Sequence, residues 1–189
     1  MAARLWWMLE RLGHAAVRVL DGGIGAWTAT GLPLRTDVPT YPEGRLHLAG
    51  AWSGTVDRDH VLDRLGRALI LDARGGPRYR GETEPIDPVA GHIPSAINAP
   101  TDGNLDAAGR FLPAPALRAR FDALGAGSAA PGGVIVSCGS GVSALHNSLA
   151  MRIAGFPEPM LYVGSWGDWS TAGYPVATGP EPGSPPERG

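Results

Sequence analysis

Apolar residues along the chain follow two alternating patterns. Short apolar runs rich in β-branched residues predict strands at about 69–73, 96–98, 134–136 and 160–163. Between these runs, apolar residues recur every three or four positions, which predicts helices at about 57–66, 115–124, 142–153 and 166–171. Strands that alternate with helices indicate an α/β fold, in which a mostly parallel sheet carries helices on both faces.

The beginning of the chain repeats part of this pattern. Residues 13–34 align without a gap on residues 155–176, at an offset of 142, with six identities in twenty-two positions. The identical pairs are Gly13/Gly155, Gly22/Gly164, Gly25/Gly167, Gly31/Gly173, Trp27/Trp169 and Pro33/Pro175. Such identities indicate two copies of one unit. Cys138, projected back by the same offset, falls before residue 1, so we expect residues 1–34 to be the C-terminal remnant of a second unit.

The domain boundaries follow from this repeat. Residues 55–177 are predicted to form the complete unit, preceded by a linker over 35–54 and followed by a disordered tail over 178–189. Within residues 1–34 we predict a helix at about 3–12, a strand at about 17–20 and a helix at about 23–30. This segment has several apolar residues but lacks the rest of the unit that would bury them. We therefore expect it to dock on residues 55–177 or to drive self-association. The apolar residues concerned are Trp6, Trp7, Val17, Val19 and Trp27.

Composition narrows the classes of function. The formal net charge is −2, so the chain lacks the basic surplus that nucleic-acid binding requires. No apolar run approaches the roughly 20 residues that span a bilayer, and no signal peptide is evident, so we expect no membrane partner and a cytoplasmic location. All sixteen basic residues are arginine, which excludes lysine Schiff-base chemistry. No two histidines lie three to five positions apart, so we predict neither a metal site nor a cofactor.

Cys138, the one cysteine of the chain, follows the predicted strand at 134–136 and precedes a glycine-rich turn and a helix. At a helix start the backbone N–H groups of residues 139–143 can converge on one point, and the helix dipole favours an anion. Both effects favour the thiolate, which is the nucleophilic form of cysteine. The alternative is a buried, inert cysteine. The glycines on either side of Ser140 favour the functional interpretation, because a packing cysteine needs no loop of close approach.

A second loop with candidate chemistry follows the predicted strand at 69–73. It carries Arg74, Arg78 and Arg80, and the carboxyl ends of parallel strands lie at one edge of a sheet, so this loop should neighbour Cys138. One of these arginines could bind a sulfonate or carboxylate through a bidentate contact. Equally, all three could be solvated or paired with nearby carboxylates, which are Glu82, Glu84 and Asp87. His92, in a turn before a strand, fits a structural role better than that of a catalytic base.

These motifs together resemble the rhodanese family, specifically its two-domain thiosulfate and 3-mercaptopyruvate sulfurtransferases, over about residues 4–177. The matching segments are Asp72-Ala73-Arg74, Arg78-Tyr79-Arg80-Gly81, Ile86 to Pro94 with Asn98, Cys138 to Ala144, and Gly164-Ser165-Trp166 with Trp169. The resemblance implies a rhodanese-like sheet in which an inactive N-terminal copy packs on a catalytic C-terminal one. It also implies that Cys138 accepts sulfane sulfur as a persulfide and passes it to a thiol or cyanide.

The resemblance also implies binding roles for individual residues. Arg78 falls on the position of the arginine that binds the donor's anionic group. Gly139, Ser140, Gly141, Val142 and Ser143 fall on the amides that cradle the persulfide. A second binding arginine, which some mercaptopyruvate enzymes carry, is absent from residues 85–87. The uncharged Gly139-Ser140-Gly141 resembles the 3-mercaptopyruvate type more than the thiosulfate type, with Ser140 as a possible proton relay.

Two other classes of protein compete with this interpretation. A cysteine phosphatase would carry an arginine six positions after the cysteine, where this chain has Ala144, so this class is disfavoured. A non-catalytic binding or regulatory module of the same fold is the stronger alternative. The intact loop around Cys138 argues against such a degenerate site.

Overall fold

Five short strands form one parallel sheet, and this sheet positions the candidate site. In this computed structural model, which describes residues 2–14, 16–45 and 53–186, the spatial order of the strands is β1-β5-β4-β2-β3. Their bounds are β1 Thr55–Val56, β2 Leu69–Asp72, β3 Ala96–Asn98, β4 Val134–Ser137 and β5 Met160–Tyr162. Every pairing is parallel. The predicted α/β class and parallel sheet are therefore confirmed, and β1 is an edge strand that the apolar pattern did not predict.

The helices begin and end close to the positions that the apolar spacing predicts. Their bounds are α1 Ala2–Arg11, α2 Gly23–Ala29, α3 Arg58–Arg64, α4 Gly76–Arg80, α5 Ala114–Ala123, α6 Ala144–Ile153 and α7 Ser165–Thr171. Short 3-10 turns lie at Thr101–Asn104 and Ala126–Ser128. The five-residue helix α4 lies in the segment expected to be irregular. It starts with a proline in its first turn and ends at Gly81, whose φ of 79° suits glycine.

Apolar side chains fill both faces of the sheet, because neighbouring residues of a strand point to opposite sides. On one face Leu71 and Val136 pack with residues of α1, α5 and α6. On the other face Ile70 and Ile135 pack with residues of α3 and α7, including Trp166. The sheet is thus covered by helices on both faces, as predicted.

The N-terminal segment docks on the rest of the chain. Trp6 and Trp7 are only 7% and 4% exposed and belong to the same apolar core as α6, so these two residues form no exposed apolar patch. Glu158 accepts a hydrogen bond from Trp7 Nε1 and forms an ion pair with Arg11. The strand predicted at 17–20 is wrong. Residues 17 and 19 are half-buried against the core without strand pairing, so their alternation reflects one side packed on the core and the other exposed.

Two of the predicted connecting segments lie partly outside the described residues. Residues 35–45 of the predicted linker are exposed and contain no helix or strand, and 46–52 lie outside the described part. Residues 178–186 of the tail, where the sequence predicts disorder, contain no helix or strand and run along the loops near β3. The Gly179 N–H donates to Arg80 O, and Pro182 O accepts from the Ser95 N–H. These backbone hydrogen bonds connect the tail, whose composition by itself favours disorder, to the rest of the chain.

Among the described residues, no helix has the length and apolar character needed to cross a membrane.

Candidate active site

The candidate site lies at the carboxyl ends of β2 and β4, which are neighbours in the sheet. Asp72, the last residue of β2, is in register with Ser137, the last residue of β4. Cys138 follows directly, and the Ala73 N–H donates to Ser137 O at 2.8 Å. The cysteine loop, residues 138–143, and the arginine loop, residues 74–92, therefore begin side by side, as the sequence predicts.

The start of α7 holds the cysteine loop in place. The Ser165 hydroxyl accepts hydrogen bonds from the N–H groups of Cys138 at 3.1 Å and Gly141 at 3.0 Å, and it donates to Tyr162 O at 2.9 Å. The N–H groups of Trp166 and Gly167 donate to the carbonyl oxygens of Cys138 and Gly139, each at 2.9 Å. Five hydrogen bonds thus fix the loop and the residue that braces it.

Two backbone positions in this arrangement have left-handed geometry. Gly141 has a φ of 68°, and a Cβ built there would lie 2.5 Å from Val163 O, so only glycine fits. Ser165 has a φ of 53°, which is uncommon for a residue with a side chain. Its three hydrogen bonds account for this conformation. The sequence motif around Ser165 does not predict this role, because the contacts join residues 27 and 24 positions apart.

Most of the loop amides are open. Within the described part of the chain, the N–H groups of Gly139, Ser140, Val142 and Ser143 have no hydrogen-bond acceptor. Gly141 differs from the expectation for its amide, because its N–H is directed to Ser165. Cys138 itself is a free thiol and only 2% exposed. The loop therefore offers donors for an anion next to a secluded sulfur.

The three arginines of the arginine loop have different environments. Arg74 is buried, forms bonds of 2.7 to 3.1 Å to the Asp72 carboxylate, and lies over the Trp166 ring, which indicates a structural role. Arg80 pairs with Glu82 at the surface. All three arginines have carboxylate partners, so the pairing considered in the sequence analysis is present.

Arg78 combines such pairing with a free edge. Its Nη2 bonds to Glu84 Oε1 at 2.6 Å and Asp87 Oδ2 at 3.0 Å, and its Nε bonds to Glu84 Oε2 at 3.2 Å. Its Nη1 donates to no acceptor among the described residues, and it would lie 3.6 Å from a Cβ built on Gly139. Arg78 therefore presents a cationic edge to the cysteine loop.

The Glu84 carboxylate stays ionised in this network. Burial by itself would raise the pKa of Glu84, but hydrogen bonds from Arg78 and from the N–H groups of Asp87 and Ile86 outweigh it and lower that pKa below its usual range. These backbone bonds also set the turn that carries Asp87 towards Arg78.

The two histidines near these loops are bound to other groups. The His92 ring is fully buried, stacks on Tyr79 with centroids 3.8 Å apart, and its Nδ1 lies 2.8 Å from Tyr79 O. His146 stacks on Phe111 and contacts Asn104, and burial lowers its pKa. Across residues 2–14, 16–45 and 53–186, no three His, Cys, Asp or Glu side chains cluster as metal ligands would.

A cavity of about 280 Å³ lies beside the cysteine loop. Ser140 and Gly141 line it together with Leu145 of α6, Leu161 of β5 and residues of α1. Its wall is mostly apolar, and Arg4 of α1 supplies the one charged side chain among the residues that line it.

The fold and site define a class of protein: a parallel α/β domain with one cysteine in an amide-lined loop at the carboxyl edge of its sheet. The family model described as "Rhodanese-like domain" matches residues 57–172. The chain therefore belongs to the rhodanese family.

Relatives agree with this assignment. The chain is 47% identical over 182 residues to a probable 3-mercaptopyruvate sulfurtransferase of Pseudomonas aeruginosa, covering 94% of this chain and 64% of that protein. It is 38% identical to a putative thiosulfate sulfurtransferase of Mycobacterium tuberculosis, covering 90% and 60%. The structure of a 3-mercaptopyruvate sulfurtransferase from Leishmania major matches with a TM-score of 0.74 and 30% identity, over 90% of this chain and 48% of that one. The chain thus spans less than two thirds of the length of these relatives.

Proposed function

We propose that this chain is a sulfurtransferase that carries sulfane sulfur as a persulfide on Cys138. The observation that carries this proposal is the cysteine loop itself. It combines a secluded free thiol, four open amides and the free edge of Arg78. The relatives named as sulfurtransferases support the same function.

The first half-reaction loads the cysteine. The Cys138 thiolate attacks the sulfur of the donor, a new S–S bond forms, and the donor's bond to that sulfur breaks with its electron pair on the leaving group. When thiosulfate is the donor, the leaving group is sulfite. From 3-mercaptopyruvate the leaving group is the enolate of pyruvate, which takes up the proton of the donor thiol. In both cases the product on the enzyme is the Cys138 persulfide.

The second half-reaction transfers the outer sulfur of the Cys138 persulfide to the acceptor. A thiolate or cyanide attacks the outer sulfur, the S–S bond breaks, and the Cys138 thiolate returns while the acceptor leaves as a persulfide or as thiocyanate. No electron donor is needed besides the acceptor, and no cofactor enters either step. The Cys138 thiol is kept reduced in a compartment such as the cytoplasm, where we place the protein.

Individual residues have distinct tasks in this proposal. The amides of Gly139, Ser140, Val142 and Ser143 stabilise the charge on the outer sulfur, because preorganised N–H donors favour an anion. Gly141 makes the turn, and its amide binds the Ser165 hydroxyl and so helps to hold the loop around the sulfur. Arg78 binds the sulfonate or carboxylate of the donor through Nη1.

The preferred donor follows from the charge of the loop. Residues 139–141 contain no cation that would suit a dianion, so we propose 3-mercaptopyruvate as the better donor, with the Ser140 hydroxyl relaying the thiol proton. The unit that carries out this chemistry comprises residues 55–177, on which α1 packs through Trp6 and Trp7.

Turnover measurements test this proposal. Release of pyruvate or sulfite should depend on both the donor and an added thiol or cyanide, and Cys138→Ser should abolish it while the thermal midpoint of unfolding stays near the wild-type value. Wild-type turnover in Cys138→Ser would refute the mechanism. No turnover in the wild-type chain with either donor would favour a non-catalytic module.

A further inference from the structure

Two carboxylates bind the Nε and Nη2 atoms of the Arg78 guanidinium and leave Nη1 without an acceptor among the described residues. Its Nη2 lies 2.6 Å from Glu84 Oε1 and 3.0 Å from Asp87 Oδ2. Any anion that binds at Nη1 therefore meets a cation whose charge is already partly balanced. The two carboxylates differ in surroundings, because the Glu84 side chain is 3% exposed and also pairs with the buried Arg74.

Asp87 lies where the cysteine loop meets α7. A Cβ built on Gly167 would be 3.1 Å from both Asp87 Oδ1 and the Gly139 carbonyl oxygen. One carboxylate oxygen of Asp87 thus faces Gly167, which also neighbours the Gly139 carbonyl oxygen, while the other oxygen bonds to Arg78. Its side chain keeps 12% exposure, so this charge lies at the edge of the site and not in the core.

The ion-paired network around Arg78 has an excess of negative charge. It joins two guanidinium groups to three carboxylates, which leaves a net charge of −1. The members are Arg74, Arg78, Asp72, Glu84 and Asp87. A negative charge repels a dianion about twice as strongly as a monoanion at the same distance. A dianion bound at Arg78 is therefore opposed by this network more strongly than a monoanion.

We propose that Asp87 is a specificity-determining residue, whose carboxylate weakens the affinity of Arg78 for anions and selects monoanionic sulfur donors over dianionic ones. The inference rests on the proposed function, because it concerns the donor that loads Cys138. Thiosulfate is a dianion near neutral pH, whereas 3-mercaptopyruvate carries one negative charge, on its carboxylate. Asp87 thus adds to the preference that the uncharged loop creates.

Asp87→Asn tests the inference, because the amide keeps an oxygen acceptor for Arg78 and removes only the charge. With the strong screening of a site open to water, removal of the Asp87 charge should raise kcat/KM about fivefold for each negative charge on the donor. Thiosulfate has one charge more than 3-mercaptopyruvate, so the ratio of kcat/KM for thiosulfate to kcat/KM for 3-mercaptopyruvate should rise about fivefold. The rise should appear mainly in KM and shrink at high salt. Asp87→Glu, which keeps the charge, should stay near the wild-type ratio.

A matched control lies in the same loop. Glu82→Gln also removes one carboxylate that pairs with an arginine, but that arginine is Arg80 at the surface, so the donor ratio should not change. An unchanged or lower ratio in Asp87→Asn, or an equal change for both donors, would overturn the inference.

Binding of inorganic sulfate provides a readout independent of turnover. Calorimetric titration with sulfate should show tighter binding to Asp87→Asn than to the wild-type chain, and no difference for Glu82→Gln. If the wild-type chain forms no persulfide from either donor, the proposed function fails, and the sulfate affinities alone decide whether Asp87 weakens anion binding at Arg78. Equal sulfate affinity in Asp87→Asn and the wild-type chain would refute the inference that Asp87 weakens anion binding.

Discussion

Arg78 shows how one side chain can be both paired and available. Carboxylates bind its Nε and Nη2 and so fix the plane of the guanidinium, while Nη1 lies close to Gly139. A fixed cation loses little side-chain entropy when an anion binds to it. The arginine thus has the geometry that the proposed donor binding requires.

At the scale of this residue, Arg78→Ala should reduce kcat/KM for donors by about ten- to a hundredfold, because a charge-assisted contact contributes roughly 1.5–3 kcal/mol. The reduction should be at least as large for thiosulfate as for 3-mercaptopyruvate, since Glu84 and Asp87 lose their counter-charge. Arg80→Ala is the control, because its partner is the surface residue Glu82. Equal, small effects of both substitutions would leave Arg78 without a role in donor binding.

The contacts of these residues could be predicted from sequence only in part. The run of β-branched residues before Cys138 and the glycines after it predict the cysteine loop, and the strand-end position of Arg78 predicts its place beside that loop. Ser165 and the Asp87 contact were not predicted. Both depend on where loops from different strands meet, and spacing along the chain carries no signal for that.

At the scale of elements, α7 acts as the support of the cysteine loop. Its first residue, Ser165, satisfies two buried amides of that loop and takes a backbone conformation that costs free energy. Because α7 begins at Ser165, it connects the cysteine loop to its own residues Trp166 and Trp169, which are fully buried in the core. The open amides of the loop can then keep their positions when charge develops on the sulfur.

Ser165→Ala should lower the free energy of unfolding by about 1–3 kcal/mol, because two buried N–H donors lose their acceptor. It should also slow persulfide formation more than it raises donor KM, since the loop amides and not Arg78 lose their support. Chemical denaturation and single-turnover loading measure the two effects. Ser128→Ala, at an exposed serine in a 3-10 turn, is the control and should change neither. Full stability and normal loading in Ser165→Ala would contradict the role of α7.

Element boundaries were predicted well wherever a strand or helix is long enough to show its own period. The helices α1, α5 and α6 have ten residues each and were predicted within about two residues of their ends. The five-residue α4 and the two-residue β1 are too short to show a period. The strand predicted at 17–20 failed for another reason, because its alternation reflects packing of one side on the core and not pairing in a sheet.

At the scale of the whole molecule, the N-terminal segment has two different surfaces. Trp6 and Trp7 bury one side of α1 in the core, which removes them from any exposed patch. Further along, Leu20 and Ile24 are 53% and 63% exposed, and several other large apolar residues up to residue 41 are exposed as well. We therefore place the self-association expected of residues 1–34 on this later stretch.

A double substitution tests this location. Leu20→Glu combined with Ile24→Glu should shift the chain towards monomer in light scattering at raised concentration, because charge opposes apolar association. Val176→Glu, at an exposed valine in the C-terminal part, is the control and should leave the distribution unchanged. A monodisperse monomer already in the wild-type chain would show that this stretch drives no self-association.

Intact-protein mass spectrometry tests most directly whether Cys138 carries the sulfur. After brief incubation with 3-mercaptopyruvate or thiosulfate and removal of excess donor, the chain should gain the mass of one sulfur atom, located on Cys138 by peptide mapping. Addition of cyanide should remove it, and Cys138→Ser should gain no sulfur. A wild-type chain that acquires no sulfur from either donor, or a Cys138→Ser chain that still does, would contradict the claim.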